Sequence, residues 1–181
     1  ETEGIVVERV AAPERAGELK SITKVLSVVP IATSPSLDLI DSVAARFACN
    51  PWDVIRSAIP PRVASVDKNF DSDGSHQHNR GKFVAEFQTL APYIEAHDQL
   101  VNLVLKNYES GSVLIIAPDE KDVDRIIESL SSHDVQVLKL TAAMPREERY
   151  RNYLHAMHAA KSIVVGTRSA IFAPVNKLST I

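Results

Sequence analysis

Three consecutive side chains, Thr167, Arg168 and Ser169, form the group best suited to hold an anion. Arginine offers a planar fork of donors matched to phosphate, and each flanking hydroxyl adds a donor. Just before them runs Ile163-Val164-Val165. A short β-branched run of this kind reads as a strand buried on both faces. Gly166 closes the run and lets the backbone turn sharply. Ligands of open α/β sheets bind outside the carboxyl ends of the strands, which is where the triplet falls. The same residues also admit a structural role, in which Arg168 makes an ion pair and the hydroxyls cap the next helix.

Other chemistry-bearing patterns fail on spacing. Gly74…Gly81-Lys82 has six residues between its glycines, and Phe83 stands where a phosphate-binding loop needs Ser or Thr. No strand precedes it. His76-Gln77-His78 supplies two imidazoles on a polar segment without the further ligands that zinc requires. No Ser-His-Asp, paired-carboxylate or HExxH arrangement stands out. Cys49 is the single cysteine, which excludes an internal disulfide and suits a reducing, cytoplasmic setting.

Bulk composition narrows the partners. A net charge of −3 gives no overall pull toward nucleic acid, so any DNA contact must come from a local basic cluster. No apolar run approaches the length of a bilayer-spanning helix, so no membrane partner is expected. The 181 residues make one medium domain or two small ones.

The positioning elements follow from periodicity. Residues 1–10 contain one short strand. Glu18 to Val29 carries Leu19, Ile22, Val25, Leu26 and Val29 at amphipathic-helix spacing. Ser34-Pro35 opens a helix with Ser34 as cap and Leu37, Ile40, Val43, Ala44 and Phe47 as its buried stripe. Asn50-Pro51 opens another, with Trp52, Ile55 and Ile59 in the core. Residues 67–82 are almost wholly polar and read as a linker or disordered loop. From residue 83 helix and strand alternate: helix 93–108, strand 112–117, helix 120–130, strand 135–140, helix 145–158, strand 163–165 and the start of a strand in 176–181. Such alternation with short connections predicts a parallel sheet wrapped by helices, an α/β fold.

The block from Gly166 to Pro174, Gly-Thr-Arg-Ser-Ala-Ile-Phe-Ala-Pro, is preceded by Ile-Val-Val and followed by Asn176-Lys177-Leu178. It resembles the signature of the replication-restart helicases, the primosomal protein N′ (PriA) family. That resemblance implies a helicase-like (RecA-like) lobe over 83–181, incomplete at Ile181, before the family's acidic magnesium motif. Residues 1–66 resemble part of the family's 3′-DNA-end-binding domain, through Gly4-Ile5-Val6-Val7, Glu18-Leu19-Lys20 and Asp53-Val54-Ile55 to Pro60. The lysine of Glu-Leu-Lys helps the family hold a 3′-terminal nucleotide, so Lys20 joins Thr167, Arg168 and Ser169 as a DNA-binding candidate. By pattern alone Lys20 is equally a lysine on the solvent side of a helix.

Departures from the family are as informative. A family motor carries Gly-x-x-x-x-Gly-Lys-Ser/Thr just before the helix at 93–108. Here Glu86-Phe87-Gln88-Thr89-Leu90-Ala91-Pro92 holds neither glycine nor lysine, and Pro92 lacks an N–H. Val123 replaces a family threonine beyond the Pro118-Asp119-Glu120 segment, and Leu140-Thr141-Ala142 replaces an apolar residue followed by His-Ser. Glu148-Arg149 is kept. The family's paired CxxC zinc motifs lie beyond Ile181, so zinc is expected outside this stretch. The resemblance implies a DNA-binding replication-restart protein for arrested or forked DNA with a 3′ end, working with other primosome and replisome proteins and without ATP hydrolysis through this lobe. Two alternatives stay open: an active 3′→5′ helicase, or a scaffold for protein interactions without nucleic acid.

Overall fold

The computed structural model describes residues 4–11, 17–18, 20–27, 29–71, 82–89 and 96–181, with Ala96 and His97 described in backbone only. Leu19, the Gly74–Gly81 stretch with His76 and His78, and Leu90, Ala91, Pro92, Tyr93 and Ile94 lie outside the described residues.

Four parallel strands form one sheet in the order β2-β3-β1-β4. They are β1 (Ser112–Ile116), β2 (Val137–Leu140), β3 (Ile163–Gly166) and β4 (Leu178–Thr180). Helix α4 (Ala96–Tyr108) precedes β1, and helices α5 (Glu120–Leu130) and α6 (Arg146–His158) connect β1 to β2 and β2 to β3. β3 sits between β1 and β2, with Val113 opposite Ile163 and Leu140 opposite Gly166. Its residues are buried on both faces. Ile163 and Val165 join Val104, Val123 and Ile126 under α4 and α5. Val164 points to the other face, with Leu114, Leu138, Tyr150 and Leu154. The period of two along a doubly buried strand thus splits one apolar run between two cores.

That second core also takes in the front of the chain. Helices α1 (Ser34–Phe47), α2 (Pro51–Ala58) and α3 (Ala64–Asn69) contribute Ile40, Ala44, Val54, Ile55, Ala58 and Val66 to it. Polar bonds fasten the two parts. The Tyr150 hydroxyl donates to Asp67 Oδ1 at 2.6 Å, and the Tyr153 hydroxyl donates to the Ile31 carbonyl at 2.8 Å. Arg62 pairs with the other Asp67 oxygen and reaches the Leu26 carbonyl at 2.7 Å. Arg146 donates to the Arg62 carbonyl at 2.7 Å. Burial, reinforced by Asp67, pushes the Tyr150 phenol well above its usual pKa, so it stays a donor.

Several expectations need correcting. Residues 4–10 form no strand, because no described strand offers a ladder partner. The stretch Glu18 to Val29 forms no helix among its described residues. Ile22 and Val25 stay 74% and 70% exposed, and a short helix without a surface to pack on is marginal in water. The cap of α1 is Thr33, not Ser34: its side chain accepts from the Ser36 N–H while Ser36 bonds back to the Thr33 N–H. Phe47, at the last position of α1, is 74% exposed rather than buried. Trp52 is 42% exposed, because Val54, Ile55 and Ala58 turn inward from α2 while the ring faces out. The polar stretch from Asp67 opens inside α3.

Candidate nucleic-acid interface

All four strands run the same way, so their carboxyl ends share one edge of the sheet. Gly166 occupies that edge on β3, between Ile116 and Leu140. Its role differs from the sharp turn expected from the sequence. It has no positive φ; what it lacks is room. A Cβ there would lie 2.2 Å from the Leu140 carbonyl oxygen and 2.5 Å from the Ala170 Cβ. The glycine therefore lets β2 and the following turn close in on the strand end.

That turn is a 3₁₀ helix, Arg168–Phe172. The Ala170 N–H donates to the Thr167 carbonyl at 2.8 Å and the Ala173 N–H to the Ala170 carbonyl at 3.0 Å. Thr167 stands at its N-cap position but makes no capping bond. Arg168 is exposed, and its guanidinium pairs with no carboxylate among the described residues. The structural role open to these residues from sequence, an ion pair and a cap, is thus not what the fold uses them for. Thr167 and Ser169 are half-buried on either side of Arg168.

Carboxylates along the same edge are engaged. Asp119 caps α5, accepting from the Asp122 N–H at 3.0 Å. Glu120 accepts from the buried Thr141 hydroxyl at 2.9 Å and from Lys139 at 2.8 Å. Lys139 also reaches Asp124 at 2.6 Å, and those two partners hold its amine above the ordinary pKa. These acids already have partners, while Arg168 pairs with no carboxylate among the described residues.

Lys20 stands on a segment without regular structure. It is exposed and has no hydrogen bond or ion pair among the described residues. The structure brings Thr167, Arg168 and Ser169 together on one turn and does not place Lys20 on a helix. Arg149 escaped notice as part of this edge. Its place among the charged residues of α6 suggested a solvated face, yet it is half-buried and lines a cleft with Ser169. The resemblance marks it only as half of the kept Glu148-Arg149 pair, and its neighbours Arg146, Glu147 and Glu148 are exposed.

Residues 82–89 form no strand or helix, and Phe83, Val84 and Phe87 are largely exposed. Nothing there builds a phosphate cradle: no backbone turn rich in N–H groups and no lysine stands at Glu86–Thr89. The described residues Glu86–Thr89 do not fit a nucleotide triphosphate. Among the described residues no group of three or more His, Cys, Asp or Glu is gathered. Among the described residues, no helix is long and apolar enough to cross a membrane.

Residues 1–60 match the family model of the PriA 3′DNA-binding domain (3′BD). The chain is also similar along nearly all its length to curated replication restart proteins. The probable replication restart protein PriA of Mycobacterium tuberculosis (strain CDC 1551 / Oshkosh) is 30% identical over 205 residues, covering 99% of this chain and 31% of that protein. That of Mycobacterium leprae (strain TN) is 29% identical over 208 residues, covering 99% of this chain and 32% of that protein. Over nearly all its length the chain thus resembles the PriA replication restart proteins. It spans about a third of the length of these relatives. The matched stretch is longer than the chain's 181 residues, so the relatives carry residues that have no counterpart here.

Proposed function

We propose that this chain binds DNA bearing an accessible 3′ end, forked or single-stranded, and takes part in replication restart without hydrolysing ATP through this lobe. The observation that carries the reading is the exposed Arg168, which pairs with no carboxylate among the described residues and is flanked by two hydroxyls on the carboxyl edge of a parallel sheet. A sugar-phosphate strand supplies an anion for Arg168. The match of residues 1–60 to a 3′DNA-binding domain supports the choice of DNA, and the relatives' names support replication restart. In this reading residues 1–66 serve the DNA end, 67–82 connect, and the lobe from residue 83 grips the strand. Lys20 is proposed to meet the terminal nucleotide. Other primosome and replisome proteins are its partners, zinc belongs to cysteine motifs outside this stretch, and the protein works in the cytoplasm.

The absence of glycine and lysine at Glu86–Thr89 supports the loss of ATP chemistry. Titrating fork DNA with a free 3′ end, and the same fork with that end buried in duplex, tests the first part. The free end binds tighter, and both affinities fall as salt rises. Equal affinity for the two forks removes 3′-end recognition from the account. A DNA-stimulated ATPase assay tests the second part: phosphate release above background supports the motor reading instead.

A further inference from the structure

A narrow cleft lies where the front helices meet the carboxyl edge of the sheet. Ala58 and Pro60 line one side, Arg149 and Tyr153 from α6 another, and Ser169 and Ala173 the third. It has room for about one water molecule, enough for a phosphate oxygen and too little for a base or sugar.

Arg149 is the unusual wall of this cleft. It is half-buried, and its guanidinium donates no hydrogen bond and pairs with no carboxylate among the described residues. The nearest acids in sequence do not serve it: Glu147 bonds Arg151 at 2.7 Å, and Glu148 is exposed. Its N–H closes the first turn of α6 on the Pro145 carbonyl, so the cation sits near the positive end of that helix. A cation partly withdrawn from water, without counter-charge and near a repelling dipole end, is unfavourable unless an anion joins it. Ser169, across the cleft, adjoins Arg168 in the chain and brings a hydroxyl without a protein partner among the described residues.

We propose that Arg149 and Ser169 form a second phosphate subsite, which takes one backbone phosphate of the DNA strand next to the phosphate met by Arg168. This rests on the DNA-binding reading above. Inorganic phosphate shares the chemistry, so the experiment separates the two sources. Affinity of the whole chain for a labelled single strand is measured across a salt series for the native protein, Arg149→Ala, Arg149→Lys and Arg168→Ala. Arg149→Ala is expected to weaken binding about 5- to 10-fold at low salt, alike for different sequences, and to flatten the log–log salt slope by about 0.7. Arg149→Lys, which keeps charge but loses the fork, loses about 2- to 3-fold. It carries the test if Arg149→Ala does not fold, as judged by thermal melting. Strands with a single neutral methylphosphonate linkage extend the test: at one position the native protein binds no better than Arg149→Ala. Native affinity and slope in both Arg149 variants, with loss in Arg168→Ala, overturn the subsite and leave the DNA reading standing. No binding by the native protein overturns both. If millimolar inorganic phosphate raises the melting temperature of the native protein but not of Arg149→Ala, and no methylphosphonate position matters, the site takes free phosphate and the backbone assignment falls.

Discussion

Replacing Gly166 by alanine tests how the strand end is built. The added methyl would lie 2.2 Å from the Leu140 carbonyl oxygen and 2.5 Å from the Ala170 Cβ. Neither neighbour is the far end of a flexible chain: one is backbone of the adjacent strand and the other a Cβ on the 3₁₀ turn. Either β2 or the turn must move. Overpacking of this kind costs about 1–3 kcal/mol, and backbone contact on two sides places it at about 3. Alanine gains back about 0.4–1 kcal/mol by restricting the unfolded chain. The net is about 2 kcal/mol or more, a fall of about 4–8 °C in Tm for a chain of this size. Urea unfolding and thermal melting of Gly166→Ala read this directly. Adding Ala170→Gly removes the 2.5 Å contact and leaves the 2.2 Å one. The double variant should therefore be less unstable than the sum of the singles, by about 0.5–1 kcal/mol. An unchanged or raised Tm for Gly166→Ala refutes the close approach. Strict additivity refutes the assignment of Ala170 as one of its two walls.

Further outcomes follow from the same contacts. Tyr150→Phe removes the hydroxyl bonded to Asp67 and should cost about 2 kcal/mol, read as a Tm lower by about 4–8 °C; an unchanged Tm argues that the two parts are not held there. Trp52→Ala should cost about 1 kcal/mol or less, because the ring is 42% exposed, against about 3–5 for a core aromatic; a loss in the larger range puts the indole back in the core. Burial, with Arg151 beside it, holds His155 below the ordinary imidazole value of 6.5. The unfolded chain then takes up the proton first, so stability is intact above that value and falls as pH drops through it toward the folded pKa. The urea midpoint of the native protein should fall from pH 7.5 to 5.5 more steeply than that of His155→Gln, and parallel curves contradict this.

The sheet was legible because β1 and β3 are mostly apolar runs and α5 carries a strong stripe. Ile163–Val165 and Val123, Ile126 and Leu130 are buried as periodicity demands. The front was harder to read. Ile22 and Val25 have helical spacing, but spacing only forms a helix when there is a surface to bury the stripe, and they stay exposed. Trp52 fell in step with Ile55 and Ile59 in sequence, yet a short helix buries one side only, and Val54 and Ala58 took it. At the site the triplet was plain from its residue types. The state of Arg168 was not, since pairing depends on which carboxylates the fold brings near, and Asp119 and Glu120 turned out to be engaged. Arg149 stood out only as half of the kept Glu148-Arg149 pair, not as part of this edge: its half-burial comes with the front helices packing near α6, which no local pattern encodes. Gly166 was singled out, but its need for space is a property of β2 and the turn rather than of its own dihedrals.

The most direct measurement is the affinity of Arg168→Ala for single-stranded DNA beside the native chain, at several salt concentrations. A side chain that already lacks an internal partner leaves the fold untouched when removed, so Tm should stay within about 1 °C. Affinity should drop for every sequence, with a salt slope shallower by about 0.7. Identical affinity and slope in the two proteins would contradict the claim that this edge holds a phosphate backbone.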